Sequence, residues 1–367
     1  MKMLFAGSLM EGQTSRMRMD IFRALDFDVA SVCTETGWQK LSSPSRRAQQ
    51  FLHFGPAIDQ INRSIIEAAK LHKPRIFWAE KQEYIFPSTL RKLSEINVRS
   101  IHYTPDPYFS LGWKQTPNSD ACLPLYDALV TSKQYEIQRY QEINPRSYYM
   151  HLGFSTDVHR PINNDQERFS SDVAFLGGWE PRREKYLNFL LKHTGANLKI
   201  WGYGWDFLKD GKWTPRRWWS MRRNSGNQVF KLAKNDELGQ CVMGGEVYGN
   251  EYSSAISGAK INIGFLRKIC PDQHTTRTFE IPACKSLLLA DRSEEHMEFF
   301  REGVEAEFFS SMEEMLDKVR FYLDNDRARR KIAQNGYDRC HRDGYSYFDL
   351  LSKTSSNIIK DLDLLRS

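Results

Sequence analysis

The stretch from Cys270 to Phe309, CPDQHTTRTFEIPACKSLLLADRSEEHMEFFREGVEAEFF, constrains the fold more than any other part of the chain. It reads as loop, helix, strand, helix, strand. The polar loop carries Thr275, Thr276 and Arg277, and a helix is expected to start there, its first free amides capped by threonine hydroxyls. Orphan N–H groups and the macrodipole at such a terminus favour an anion, and Arg277 beside them adds positive charge. Glu280 falls in the first turn, placed to accept hydrogen bonds from sugar hydroxyls next to that anion; taken alone it reads as a helix-cap carboxylate. Ser286 to Ala290 is a short apolar run of the kind buried in a parallel sheet. This order of parts predicts a nucleotide-binding half of a doubly wound fold.

A chain of 367 residues has room for two such halves, since single cores stop growing near roughly 250–300 residues. The alternation continues towards the amino terminus. Met3 to Ala6 is an apolar strand that breaks at Gly7, and Gly12, Thr14 and Arg16 lead into a helix from Met17 to Leu25. That opening is Rossmann-like without the G-x-G-x-x-G spacing, so its loop reads as a phosphate contact or as a plain turn. Further strands are expected at Asp28–Val32, Pro74–Ala79, Val98–Tyr103, Tyr126–Ser132 and Ser147–His151, with helices at 48–71, 87–96 and 135–143. The Val98–Tyr103 strand runs into Thr104-Pro105-Asp106-Pro107, at the carboxyl end where open α/β sheets bind ligands. Asp106 is therefore a candidate base or acceptor-orienting carboxylate, with an Asx turn between prolines as the equal alternative. The apolar start is too short for a signal peptide, and no run reaches the ~18 residues of a membrane span. The six cysteines form no C-x-x-C pair, which points to reduced thiols, a cytoplasmic location and no zinc site. The net charge of +6 permits anionic partners without requiring nucleic acid.

After a polar break from Leu152 to Ser171, Asp172 to Leu176 opens a second unit and ends at Gly177-Gly178. Those glycines let a ligand approach the backbone, and Arg182 or Arg183 just beyond could grip a diphosphate bidentately. At least one of the two arginines is expected to be a solvated helix-face charge. Trp201-Gly-Tyr-Gly-Trp205 repeats the strand-then-glycine pattern, its aromatics, Trp201 among them, either stacking on a base or packing in core and rim, with one tryptophan expected in the core. Between Lys212 and Lys234 lie seven basic residues, no acidic ones, and Trp213, Trp218 and Trp219. The patch reads as an acceptor-binding surface, a membrane-interface contact for anionic or lipid-linked acceptors, or a solvated loop over core tryptophans; nucleic-acid binding ranks lower.

Arg277-x-Phe-Glu280-x-x-Ala-Cys284, Trp201-Gly-x-Gly-Trp205, Val247-x-Gly-x-Glu-Tyr252 and Pro105-Asp106 together resemble the GT-B glycosyltransferases, specifically their CgeB-like, spore-maturation-protein-like branch. The resemblance covers most of the chain and is strongest from Asp172 to Phe309. The family pattern has Gly after Ala-Cys, where this chain has Lys285. Asp272-x7-Glu280 has the spacing of the Glu-x7-Glu motif of many retaining members, with Asp first. The resemblance implies that Glu280 holds the donor ribose, that Asp272 lies near the donor sugar, and that Tyr248 lies near the base. It also implies that Gly12, Thr14 and Arg16 lie near acceptor and sugar, and that a basic residue after the Gly177-Gly178 strand stabilises the leaving group.

The expected architecture is thus α/β and GT-B, two Rossmann-like domains with parallel sheets facing an interdomain cleft. The domains are 1–151, a linker at 152–171, and 172–344, with the helix of 345–367 crossing back to the first. The expected activity is transfer of a sugar from a nucleoside-diphosphate sugar, retaining, with no metal and no cofactor beyond that co-substrate. Arg277, Thr275 and Thr276 would stabilise the departing diphosphate. Asp106 would be the base if the reaction inverts. The acceptor stays open among glycan, lipid-linked glycan, protein and modified nucleic acid, as do peripheral membrane contact and oligomeric state. The alternatives are a non-catalytic nucleotide- or glycan-binding protein of the same fold, or a nucleotide-sugar epimerase.

Overall fold

A computed structural model describes residues 1–364 apart from positions 40, 82, 113, 164–165, 213–217, 219–221 and 223–233. The chain divides into two compact units, Met1–Leu152 with Tyr347–Ser367, and Gly153–Ser346. In the first unit β1 (Lys2–Gly7), β2 (Asp28–Cys33), β3 (Ile76–Glu80), β4 (Arg99–Thr104), β5 (Ala128–Thr131) and β6 (Ser147–Tyr149) form one parallel sheet. Its strand order is β2-β1-β3-β4-β5-β6.

Alternation along each strand feeds two cores, because successive side chains leave a strand on opposite faces. Leu4, Ala6, Phe77 and Ala79 pack with Ile58, Ile61 and Ile65 of the helix Pro56–His72. Met3, Phe5, Ile76 and Trp78 pack on the other face with Phe22 of the helix Thr14–Ala24 and with Tyr347, Leu351 and Ile358 of the helix Tyr347–Asp361. The region 48–71, expected to be mainly helical, is so, and is divided between two helices, Ser43–Leu52 and Pro56–His72. His53 at φ 50° and Gly55 at φ 140° leave helical space between them.

The turn from β1 into its helix is locked from below. Arg18 is 1% exposed and Glu80, the last residue of β3, is fully buried. Arg18 Nε donates to Glu80 Oε1 at 2.7 Å and Nη2 to Thr14 Oγ1 at 3.1 Å, while Trp78 Nε1 donates to Glu80 Oε2 at 2.9 Å. The same guanidinium lies 4.9 Å from the ring centre of Tyr103 and 5.0 Å from that of Tyr347, so one cation ties four elements together.

In the second unit β7 (Ser171–Leu176), β8 (Leu198–Trp201), β9 (Val242–Gly244), β10 (Ala259–Gly264), β11 (Leu287–Asp291) and β12 (Glu307–Phe309) form another parallel sheet. The order β12-β11-β10-β7-β8-β9 puts a reversal of direction between β7 and β10. The polar stretch after Leu152 packs inside this unit. Phe154 is fully buried and bridges to Ser346, and Ser253 Oγ donates to Val158 O at 2.6 Å. Among the described residues no helix is long and apolar enough to cross a membrane. All six cysteines are free thiols.

Two backbone positions are set by conformation. Gly202 has φ 145°, and a Cβ there would sit 2.1 Å from Gly177 O, so the loops after β7 and β8 meet backbone to backbone. Lys285 has φ 58°, the left-handed conformation that glycine adopts without strain, which explains how the turn after Ala283-Cys284 survives the missing glycine.

Replacing Glu80 with Leu leaves Arg18 buried without its counter-charge and is expected to cost about 3–5 kcal/mol, read by urea unfolding. Lys285→Gly relieves the left-handed strain and should raise stability by up to about 1 kcal/mol in the same measurement.

Candidate functional site

Open α/β sheets bind ligands at the carboxyl ends of their strands where strand order reverses. In the second unit that place is the end of β7 beside the end of β10, and three arginines gather there. Arg277 opens the helix Arg277–Ala283 that follows the loop after β10, and its Nε donates to Leu176 O at 3.1 Å, the last carbonyl of β7. Arg183, from the first turns of the helix Pro181–Thr194, donates through Nη1 to Gly178 O at 2.8 Å and pairs with Glu180 at 2.7 Å. Its Nε is buried with no hydrogen-bond partner. Burial pushes the Arg183 pKa below the usual arginine value, Glu180 opposing and Arg277 reinforcing the shift. Burial also works against the charge on Arg277, but Tyr252 and Glu280 outweigh it and its pKa rises. Burial raises the Glu180 carboxyl in spite of Arg183, Arg267 and Arg182. Arg267 is the third arginine of the group.

Arg182 points elsewhere. It forms a bidentate pair with Asp291 at the end of β11, at 2.8 and 2.5 Å, with its guanidinium 4.3 Å from the ring centre of Tyr186. Asp291 also accepts from Leu266 N at 2.8 Å, so Arg182 clamps the loop after β10 to β11. Neither arginine of the pair is a solvated helix-face charge, as their side chains are 18% and 11% exposed.

Glu280 is the centre of a second cluster. The Tyr252 hydroxyl, from the helix Gly249–Ser257, donates to Oε2, and His159 Nε2 lies 3.6 Å from Oε1. His159 Nδ1 accepts from Ser155 N at 2.9 Å, which leaves the ring proton on Nε2, facing the carboxylate. Burial lowers the His159 pKa, with Glu280 pulling it up and Arg277 pushing it down, and burial with Glu280 raises the Tyr252 phenol well above its usual value. A carboxylate offers about four acceptor positions, so these contacts orient Glu280 without exhausting it.

The loop ahead of Arg277 is held differently from the sequence expectation. Thr276, at the N-cap, has helical dihedrals of −59° and −35° and its hydroxyl makes no capping bond. The amides of Thr278, Phe279 and Glu280 donate instead to the carbonyls of Thr275 and Thr276, and Thr275 N donates to Thr278 Oγ1 at 3.0 Å. The amides read as an anion cradle are therefore largely spent within the turn. A relay continues inward: the Thr278 hydroxyl bonds His296 Nε2 at 2.8 Å, and His296 Nδ1 donates to Asp291 O at 2.7 Å. Asp272 in the same loop is buried, and His274 pairs with Glu295.

Trp201 is a correction. It ends strand β8 at 1% exposure and stacks on Phe169, so its ring has no face open to a base. The aromatic this loop presents is Tyr203, 49% exposed, whose ring lies where a side chain on Gly178 would be. Tyr248, the N-cap of the helix Gly249–Ser257, is also exposed. In the first unit Asp106 is ion-paired to Lys81 at 2.6 Å, with Lys114 at 3.7 Å. Thr14 is engaged by Arg18, Gly12 is a turn glycine at φ 78°, and Arg16 is exposed. Trp213 and Trp219 lie outside the described residues, with most of the basic patch; Trp218 is half-buried with Arg222 5.2 Å from its ring centre. Sequence reasoning missed His159, Tyr252 and Arg267 as site residues. Tyr252 sits inside a motif it had quoted, whereas nothing local marks His159 or Arg267.

Residues 182–349 match a family model described as glycosyl transferase-like. No curated protein matches the chain by sequence. Among solved structures, sucrose-phosphate synthase from Thermosynechococcus elongatus superposes with a TM-score of 0.65 at 9% identity over 99% of each chain. A glycosyltransferase from Rickettsia africae gives 0.61 at 13% identity over 98% of each chain. HepE of Anabaena in complex with UDP-glucose gives 0.61 at 10% identity, over 98% of this chain and 100% of that one. At such identities the likeness is one of fold, the two-domain α/β architecture of the GT-B type. Residues 182–349 thus carry a glycosyl transferase-like match within a chain whose fold is of the GT-B type.

The His296 relay gives a pH signature. Burial lowers its pKa from 6.5 to about 4. Between those values the unfolded chain binds a proton that the folded chain refuses, so stability is kept above pH ~6.5 and falls as pH drops towards 4. At about 1.4 kcal/mol per unit this is on the order of 2 kcal/mol lost by pH 5. Urea unfolding at several pH values should show His296→Gln less stable at pH 7 and with a shallower fall than the parent.

Proposed function

We propose that this protein is a glycosyltransferase of the CgeB-like branch that moves a sugar from a nucleoside-diphosphate sugar to a hydroxyl acceptor. One observation carries the reading. Arg277 and Arg183 are anchored on the carbonyls of Leu176 and Gly178, at the reversal point of a doubly wound sheet, with a buried unpartnered Nε between charges that repel each other. Two part-buried guanidiniums near enough to act on each other, with Glu180 the ion-pair partner of Arg183, can take an anion in addition, and a diphosphate is the anion whose shape suits paired forks.

The chemistry follows from charge. When the bond from the anomeric carbon to the phosphate oxygen breaks, its electron pair stays on the diphosphate, and Arg277 and Arg183 meet the charge as it develops. A new bond forms between the anomeric carbon and the acceptor oxygen. In the retaining course suggested by Asp272-x7-Glu280, the acceptor proton passes to the departing phosphate oxygen, and the two guanidiniums take the part a metal ion would otherwise have. Glu280, oriented by Tyr252 and His159, accepts the ribose hydroxyls, and Tyr203 and Tyr248 offer faces to the base. HepE was crystallised with UDP and UDP-glucose, which makes uridine diphosphate sugars the first donors to try.

A thermal-shift series with nucleoside diphosphates and their sugars, with and without EDTA, tests this. A donor at a hundred times its dissociation constant adds about 2.7 kcal/mol of stability, and the shift should survive EDTA. Glu280→Gln is expected to weaken donor binding roughly tenfold, the worth of one charged hydrogen bond at ~1.5 kcal/mol. Arg277→Ala should lower turnover more than donor affinity. No stabilisation by any nucleotide sugar, or unchanged kinetics in both variants, would sink the assignment.

A further inference from the structure

We propose that the corner between the helices Ser43–Leu52 and Pro56–His72 docks on a membrane surface that carries anionic lipids. Phe51, Leu52 and Phe54 are 85%, 65% and 66% exposed. Single exposed apolar side chains are ordinary, but three large ones within four positions form a patch, and a patch of this kind marks a contact.

The patch is displayed by construction. Gln49, buried at the end of its helix, accepts from Ala57 N at 2.9 Å and so ties the first helix to the opening turn of the second. Gly55, at φ 140°, passes so close to Gln49 that a Cβ there would lie 2.5 Å from its side chain. With the corner pinned on its inner side, Phe51, Leu52 and Phe54 have only solvent to face.

Charge selects the occupant. Between Glu35 and Asp59 the sequence carries Lys40, Arg46 and Arg47 and no carboxylate. Arg46 and Arg47 are exposed one turn or so behind the apolar tip on the same helix, and Arg46 has Glu35 at 3.6 Å as a loose partner. Aromatic and leucine side chains ahead of a short basic face match the boundary between acyl chains and phosphate headgroups. A second copy of the chain fits less well. A two-fold interface would set this patch against itself and gather the Arg46 and Arg47 pairs of both copies at one seam, with no carboxylate between Glu35 and Asp59 to offset them. The inference does not depend on the donor site, since all of its residues lie in the first unit.

Flotation of the full chain with vesicles of phosphatidylcholine, alone or mixed with phosphatidylglycerol, tests it. The parent protein should float with the mixed vesicles and stay behind with phosphatidylcholine alone. The triple variant Phe51→Ser, Leu52→Ser, Phe54→Ser should lose at least roughly tenfold in partition, and Arg46→Gln with Arg47→Gln a comparable factor. Melting temperatures check that each variant stays folded, and Phe51→Ser alone serves if the triple variant does not. A parent that never floats, or a triple variant that floats equally well, overturns the proposal. A parent that is dimeric by light scattering and ignores vesicles, while the triple variant is monomeric, also overturns it and assigns the patch to self-association.

Discussion

Where the loops after β7 and β8 meet, main chain lies directly on main chain, and the second unit's site is built on that contact. Gly202 leaves no room for even a Cβ against Gly177 O, and Trp205 Nε1 donates to the same carbonyl at 2.9 Å. The contact fixes the height of Leu176 and Gly178, whose carbonyls receive Arg277 and Arg183. It also turns Tyr203 outward across Gly178 while Trp201 and Trp205 stay in the core. A side chain at position 202 would part the two loops and remove the common footing of both arginines.

Both sheets are six parallel strands with one reversal of direction, yet their reversal points are filled differently. In the first unit the ends of β1 and β3 are occupied by a buried ion pair, Arg18 with Glu80, capped by Trp78 and the rings of Tyr103 and Tyr347. Burying such a pair is costly, and what it supplies is a fixed geometry: it holds the C-terminal helix against the first unit through Tyr347. In the second unit the corresponding place holds arginines that lean on backbone carbonyls and repel one another. The first crevice is closed by its own ion pair, whereas in the second Arg183 keeps a buried Nε without a partner beside its pairing with Glu180, the feature on which the proposed anion site rests.

Much of this was legible in the sequence. Period-two and continuous apolar runs gave the strands, because a parallel sheet covered on both faces leaves an unmistakable apolar stretch such as Leu287 to Ala290. The motif around Arg277 and Glu280 predicted a loop leading into a helix, and the structure has both. What misled was local chemistry read without its surroundings. Thr276 looks like a cap but has helical dihedrals, so its hydroxyl is turned from the amides. Trp201 looks like a stacking platform, but its place at the end of β8 commits it to the interior. Arg182 and Arg183 are adjacent and chemically identical, and a 100° step around the helix sends one to Asp291 and the other to Gly178.

By itself the sequence determined the alternation of strands and helices, the glycine positions and the loop in which the charge would gather, since these follow from periodicity and backbone sterics over short spans. Tertiary structure alone decided which groups meet. His159, Tyr252 and Glu280 come from three separate segments, and His159 lies far from the motif it serves, so no local pattern records their contact. The lowered pKa values of His159, His296 and Arg183 and the raised one of Arg277 depend on burial and on neighbours across the fold. Electrostatics is a property of distance in space, and the chain's order leaves that distance open until it folds.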